Sequence, residues 1–263
     1  MENLDKYIPK DYLALKINYI RRQLNEVPPI RIHEHKKNGV LVKRIIVGSH
    51  RYDLDSSNGI KYSKLLSQRE ELERQLMICE SIWNYYFKMP PPNYTPHKII
   101  RTINTGGNRL IMDKAFFDSL KNDANTKHPK PMIYPFNGIQ YRSAAEREIA
   151  MFYTEMGIPF KYEPEVFLNG TAYAQYPDFI FYIKELDTCK FHDHFGMMSY
   201  SNYIKDVNKK CCNYTNAGLL IDQDVLFTYN TEDSVLDTRY LSAKLNAVIY
   251  GTMACENTQP VKP

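Results

Sequence analysis

From residue 143 to residue 250 the chain reads helix, strand, strand, strand, helix, strand, helix, and this order constrains its fold more than any other feature. Apolar periodicity gives helices over 143–156, 202–216 and 236–250, and strands over 160–168, 172–183, 188–195 and 225–229. Gly157 closes the first of these helices. Strands interleaved with helices predict a mixed sheet flanked by helices, an α/β layer architecture.

One stretch of that pattern is chemically unusual. "AYAQYPDFIFYIKELDTCKFHDHFGMM", residues 172–198, alternates like a strand pair but sets Asp178 after a proline and His192, Asp193 and His194 among aromatics. Pro177 cannot donate to a ladder, so it marks an edge or a bend. Asp193 lies across the expected hairpin from Asp178, and facing strands bring such a pair within reach of one divalent cation. Hard cations take oxygen ligands, and a cation so held activates water and stabilises charge on phosphate. The plainer reading makes Asp178 a turn cap and Asp193 a surface residue, although Phe191 and Phe195 make position 193 a costly place for an unpartnered acid.

The flanking residues admit two readings each. "SAAE", Ser143 to Glu146, is a capping box. Glu146 is explained by that alone, or serves as a third carboxylate near the metal, or orients Arg142 or a water. His192 and His194 share strand parity, with Asp193 on the opposite face. They form either a transition-metal pair or two rings satisfied by hydrogen bonds. Lys205, Lys209 and Lys210 lie on the following helix, Lys205 and Lys209 on one face. A lysine there stabilises phosphate charge, or is simply solvated.

The first half differs in kind. A helix over 11–26 ends at Val27-Pro28-Pro29, and two alternating runs around Asn38-Gly39 signal a β-hairpin. Arg31, Lys36, Lys37, Lys43 and Arg44 lie on or beside that hairpin. A long helix over 61–87 carries paired charges such as Glu70 and Arg74. It is suited either to dimerisation or to packing on its own domain. "KMPPPNYTP" then breaks the chain, and a short helix over 113–120 is expected within an otherwise mixed segment. The expected organisation is a basic helix–hairpin–helix region over 1–90, a linker or mixed segment over 91–134, and a core over 135–255. Residues 1–134 hold 23 Lys and Arg against 14 Asp and Glu, and residues 135–263 hold 11 against 16. Such asymmetry suits a protein that grips a polyanion with one part and holds a cation with the other. No apolar run approaches a membrane span, and the charged first residues do not read as a signal peptide, so no membrane partner is expected. Five cysteines without CxxC spacing favour a reducing compartment, and a cytoplasmic location is expected.

"YRSAAEREIAMFYTEMGIPFKYEPE", "YPDFIFYI", "DHFGMMSYSNYIKDVNKK" and "LLIDQDVLFTYN" occur in the order seen in the PD-(D/E)XK nuclease superfamily. Over roughly residues 140–250 the chain resembles, within it, uncharacterised bacterial proteins with R-S-x-x-E, Y-P-D-F and E-H-F-G-M-M motifs. The resemblance implies a restriction-endonuclease-like αβββαβ core and an endonuclease that hydrolyses phosphodiesters in DNA with Mg2+ or Mn2+. It implies Asp178 and Asp193 as metal ligands, with Asp193 standing where relatives carry Glu, and Glu146 as the acid of the first helix. The superfamily's lysine, two residues after the second acid, falls on Phe195. Lys209, then Lys205, are the expected substitutes, with His194 as a third route. Duplex DNA is the implied partner, met by Arg31, Lys36, Lys37, Lys43, Arg44 and Arg142, and the implied origin is a bacterium, phage or mobile element. Phe195 also admits an alternative: a catalytically degenerate nuclease-fold protein that binds nucleic acid or a partner without cleaving.

Overall fold

The computed structural model describes residues 8–37, 39–127, 129–230 and 236–256. The chain divides into two compact units, Leu13–Pro96 and the remainder from His97 onward with the residues before Leu13.

The first unit contains α1 (Lys10–Glu26, from Leu13 on), β1 (Ile30–Lys37), β2 (Val40–Val47), β3 (His50–Asp53) and α2 (Ser57–Phe87). β1 and β2 pair antiparallel as the alternation predicts, and β2 pairs antiparallel with β3. Of the expected Asn38-Gly39 turn, Asn38 lies outside the described residues, while Gly39 has φ of 80°, a conformation that favours glycine. Ile17, Ile20 and Ile45 are fully buried. α2 begins at Ser57 rather than 61 because Ser56 caps it, its Oγ accepting from Gly59 N at 3.0 Å. A Cβ on Gly59 would lie 2.0 Å from Asp53 O, so no other residue fits there. The proline-rich break is anchored in this unit: Asn18 Nδ2 donates to Pro92 O at 2.8 Å and Arg22 Nη1 to Pro96 O at 2.6 Å.

The second unit runs β4 (Thr102–Thr105), β5 (Asn108–Ile111), α3 (Lys114–Ser119), β6 (Pro135–Phe136), β7 (Ile139–Gln140), α4 (Ala144–Met156), β8 (Phe160–Tyr162), β9 (Phe179–Ile183), β10 (Thr188–Phe195), α5 (Ser201–Asn216), β11 (Val225–Tyr229) and α6 (Thr238–Glu256). Residues 97–134, expected as linker or mixed chain, belong to this unit. They form the β4–β5 hairpin and α3, and Ile103, Met112, Phe116 and Phe117 join its core.

The fold is mixed α/β. Its main sheet has the order β11-β10-β9-β8. β8, β9 and β10 form an antiparallel meander, and β10 pairs parallel with β11 after the α5 crossover. From α4 to β11 the elements therefore follow the order αβββαβ. Two expected strands are shorter than their sequence pattern. The 160–168 run pairs only over Phe160–Tyr162, and the 172–183 run only over Phe179–Ile183. Between them Val166 and Gln175 form a single bridge, and Pro177 sits where the ladder resumes. Every residue of β9 and β10 is buried, because helices cover both faces of the sheet. On one face Tyr153 of α4 stacks on Phe181 at 5.0 Å; on the other Tyr214 of α5 meets Phe191 edge-on at 5.7 Å. Among the described residues no helix is long and apolar enough to cross a membrane.

Candidate functional site

Register brings the two aspartates together. His192 pairs with Phe179, so in this antiparallel ladder the next opposed positions are Asp193 and Asp178. Each carboxylate is held by the other strand. Asp193 Oδ1 accepts from Asp178 N at 2.9 Å, and Asp178 Oδ2 accepts from His194 N at 2.7 Å. Asp193 also accepts from two groups of α5, Lys210 Nζ at 2.5 Å on Oδ1 and Tyr214 Oη at 2.5 Å on Oδ2. Lys210 Nζ reaches Tyr176 O at 3.3 Å as well. Among the described residues Asp178 Oδ1 accepts no hydrogen bond.

Asp178 and Lys210 open on a cleft of about 150 Å³ lined also by His194, Phe195, Tyr203, Asp206 and Val207, whereas Asp193 and Tyr214 are fully buried. Burial raises the Asp178 carboxyl well above the usual carboxylate range; the Lys210 ammonium opposes this, and Asp193 and Glu146 add to it. Burial pulls the other way on Lys210, but Asp193 and Asp178 outweigh it and raise its pKa, so it is an ammonium at neutral pH. Burial and the Asp193 carboxylate likewise keep the Tyr214 hydroxyl protonated.

The lysine at this site is Lys210. Lys205 and Lys209, the two candidates from the sequence, are exposed and make no contact with either aspartate. The reason is helical geometry. Val207 and Tyr214 are buried on the sheet-facing side of α5, and position 210 shares that stripe while 205 and 209 do not. The clue in the sequence was the 3–4 spacing of Tyr203, Val207, Lys210 and Tyr214. Phe195, on the same face of β10 as Asp193, packs on Phe227 at 5.1 Å and Tyr229 at 5.7 Å. The lysine thus reaches the face of position 195 from the neighbouring helix.

Glu146 is engaged at the start of α4. Its Oε2 accepts from Tyr162 Oη at 2.5 Å and Arg142 N at 3.1 Å, and its Oε1 accepts from Ser143 Oγ at 3.2 Å. Ser143 Oγ in turn accepts from Glu146 N at 3.1 Å, the capping half of the predicted box. Arg142 donates to Glu163 at 2.6 Å rather than standing free for phosphate. On the hairpin, Lys43 pairs with Glu34 at 2.6 Å and Arg44 with Asp53 at 2.7 Å. Among the described residues Arg31 and Lys36 are exposed and form no ion pair, and the Lys37 side chain lies outside what is described.

The histidines occupy the face opposite Asp193, as their parity predicts. His192 is fully buried, with Nδ1 2.7 Å from Tyr153 Oη and Nε2 2.9 Å from Thr228 Oγ1. His194 Nδ1 lies 2.9 Å from the same Thr228 oxygen, and His194 Nε2 is buried without a partner. Burial lowers both imidazoles, His194 to about 4, so both rings are neutral at physiological pH. With both nitrogens of His192 engaged, the two histidines do not form a metal pair. The sequence does not announce Tyr153, Tyr203, Tyr214 and Thr228 as site residues, and it places Lys210 on the helix without preferring it to Lys209 or Lys205; each comes from an element that the sheet topology, not local sequence, brings to β10. No family model, no curated protein and no solved structure matches the chain.

Proposed function

We propose that the chain is a divalent-metal-dependent endonuclease of PD-(D/E)XK type, hydrolysing phosphodiester bonds in DNA with Mg2+ or Mn2+. The observation that carries the reading is the opposition of Asp178, which lines an open cleft, and the buried Asp193, with Lys210 bound to the second. The αβββαβ order of elements and the motifs along it support it.

The donor set fits a hard cation. Asp178 offers an oxygen with no partner among the described residues, and Asp193 lies beside it. Among the described residues no three His, Cys, Asp or Glu side chains are grouped to hold a metal; in this reading the two aspartates would be the protein's ligands, with water and substrate phosphate completing the shell. Glu146 is not needed as a ligand, since Tyr162, Arg142 and Ser143 hold it at the α4 N-terminus. A cation held there would supply Lewis-acid charge and would acidify a bound water. The protein's own part is orientation and charge. Tyr214 and the Asp178 amide fix the Asp193 carboxylate, and Lys210 brings an ammonium to the cleft where phosphoryl charge develops. Arg31 and Lys36 supply sequence-independent phosphate attraction.

The test is cleavage of supercoiled plasmid, linear duplex and single-stranded DNA with magnesium or manganese, beside Asp178→Ala. Metal-dependent cleavage that disappears in the variant is the expected result; equal cleavage by both proteins sinks the reading. One observation favours a second reading, a DNA-binding protein that does not cleave: the Lys210 ammonium already occupies Asp193. That reading requires calorimetry to find no manganese binding that depends on Asp178.

A further inference from the structure

The β1–β2 hairpin is longer than the sheet that carries it. β3 pairs with β2 over Arg44–Val47, and the β1 residues opposite those are Ile30–His33. Beyond them the pairs Glu34↔Lys43, His35↔Val42, Lys36↔Leu41 and Lys37↔Val40 run on as two strands alone. At about 3.4 Å per residue these four pairs carry the ribbon about 14 Å past the three-stranded base, before the turn. The ribbon builds no core of its own: Glu34, Lys36, Leu41 and Lys43 are exposed, and His35 and Val42 are half-buried. Residues 31–44 hold five Lys and Arg against one acid. Charge on an edge strand also discourages aggregation, yet that role asks nothing of one face in particular.

Register sorts the charges by face. Arg31 and Arg51 stand opposite Ile46 from either side, so they share one face of the sheet. His33 and His35 follow on that face toward the turn, and their rings stack with centroids 5.7 Å apart. The other face holds Ile45 and Tyr52, and at the base α2 covers it: Ile45 is fully buried and Tyr52 stacks on Tyr62 of α2 at 5.3 Å. The open face is therefore the one with the paired imidazoles. Arg44 on that face is taken by Asp53, but among the described residues Arg31 and Arg51 are exposed and form no ion pair. They lie two strand spacings apart, about 10 Å, while the ribbon beyond them is a single spacing wide.

We propose that the β1–β2 ribbon enters the major groove of duplex DNA, with His33 and His35 toward the base edges and Arg31 and Arg51 on phosphates at the two rims. This rests on the nuclease reading for the identity of the polyanion. The dimensions agree: the major groove is about 12 Å wide and about 8.5 Å deep and admits a two-stranded ribbon. The ribbon is long enough to reach the floor. The three-stranded base is too broad to follow, so it stops at the rims, where the two arginines stand. Each imidazole brings a ring N–H to the groove floor, where purine N7 and O6 atoms accept. A single strand offers no such groove, and the major groove of duplex RNA is too narrow for side chains to read. The ribbon thus selects duplex DNA.

The test is binding of the full chain to a short labelled DNA duplex, read by fluorescence anisotropy with calcium in place of magnesium. Removing residues 34–37 and 40–43 keeps the Asn38-Gly39 turn and the pairing of His33 with Arg44, and is expected to weaken duplex binding about a hundredfold. Arg31→Ala and Arg51→Ala are each expected to cost about tenfold and to lower the slope of log Kd against log salt by about one. His33→Ala combined with His35→Ala is expected to cost about tenfold with the slope unchanged, because its contacts are to bases. Lys36→Ala, on the opposite face, is expected to cost less than either arginine. Dimethyl sulfate footprinting places the ribbon: guanine N7, in the major groove, is expected to be shielded while adenine N3, in the minor groove, stays reactive. The proposal is overturned if the shortened ribbon binds duplex as the parent does, if adenine N3 is shielded instead, or if duplex RNA competes equally. Should the shortened chain fail to fold, the alanine variants decide: parent-like affinity and slope in all of them overturns it. None of these readouts requires turnover. A chain that binds through the ribbon and cleaves nothing keeps this contact and loses only the nuclease reading; cleavage and duplex binding at the parent's level without the ribbon do the reverse.

Discussion

Strand β10 takes part in two clusters built from the same ingredients, aspartate and lysine, and they are balanced in opposite ways. At one, Asp224 accepts from Arg101 Nε at 3.0 Å, from Arg101 Nη2, from Lys190 Nζ at 3.3 Å and from Leu220 N at 3.0 Å. Two cations serve one carboxylate. At the other, Asp178 and Asp193 share the single ammonium of Lys210. The consequence is visible in their acidity. Burial pushes Asp224 up, but Arg101, Lys190 and the Leu220 amide outweigh it and hold the carboxyl below its usual value. At Asp178 burial wins despite Lys210, and the carboxyl stands well above its usual value. The first cluster is closed, with every charge answered by side chains of the protein. The second is short of positive charge and open to a cleft, which is what the proposed metal site would require.

The sharpest way to break that contrast is to remove the carboxylate of each cluster. Asp224→Ala leaves Lys190 buried in β10 with no counter-charge, and a loss of about 3–5 kcal/mol is expected from urea unfolding. The pH dependence of that loss has a definite sign. The folded-state pKa of Asp224 is depressed, so its contribution is present above the ordinary carboxylate value and disappears as pH falls through the lowered one. The parent's unfolding midpoint should therefore drop at the acid end of a pH series, and this part of the drop should be missing from Asp224→Ala. Asp178→Asn is expected to act in the opposite direction at neutral pH. It removes the surplus charge and keeps an oxygen to accept from His194 N, so a gain of about 0.5–2 kcal/mol should accompany the loss of cleavage. A variant that loses stability as Asp224→Ala does would show that Asp178 belongs to a closed cluster after all.

The two clusters also differ in how far sequence alone exposes them. Asp178 and Asp193 stand out because an acid beside a proline, and another among phenylalanines, break an alternating apolar pattern, and period-2 register is local enough to oppose them. Arg101, Lys190 and Asp224 come from three separate segments, and nothing local to any of them announces the others. The same limit explains Lys210. The apolar spacing marks its helix, but which stripe of the helix faces β10 depends on the crossover from β10 to β11, and only the burial of Val207 and Tyr214 separates Lys210 from the exposed Lys205 and Lys209. The shortened β8 and β9 are a further case. The apolar pattern extends to 168 on one side and starts at 172 on the other, yet the ladder stops at Tyr162 and resumes at Phe179, because a single bridge at Val166 and Gln175 and the bend at Pro177 replace continuous pairing.

Lysine substitutions sharpen the contrast at the open cluster. Lys210→Met removes the ammonium that sits on Asp193, so manganese should bind more tightly by calorimetry while cleavage falls, because the cation loses a competitor and the reaction loses a charge-stabilising group. Weaker manganese binding in this variant would mean that Lys210 organises the carboxylates for the metal rather than standing in for it. The smallest effects belong to Lys205→Ala and Lys209→Ala. Both side chains are exposed on the outer face of α5, so each should stay within about 0.5 kcal/mol of the parent in stability and leave the cleavage rate unchanged. A rate loss at either position, with manganese affinity intact, would place a second cation in the reaction. It would mean that the outer face of α5, not only its Lys210 stripe, meets the DNA backbone.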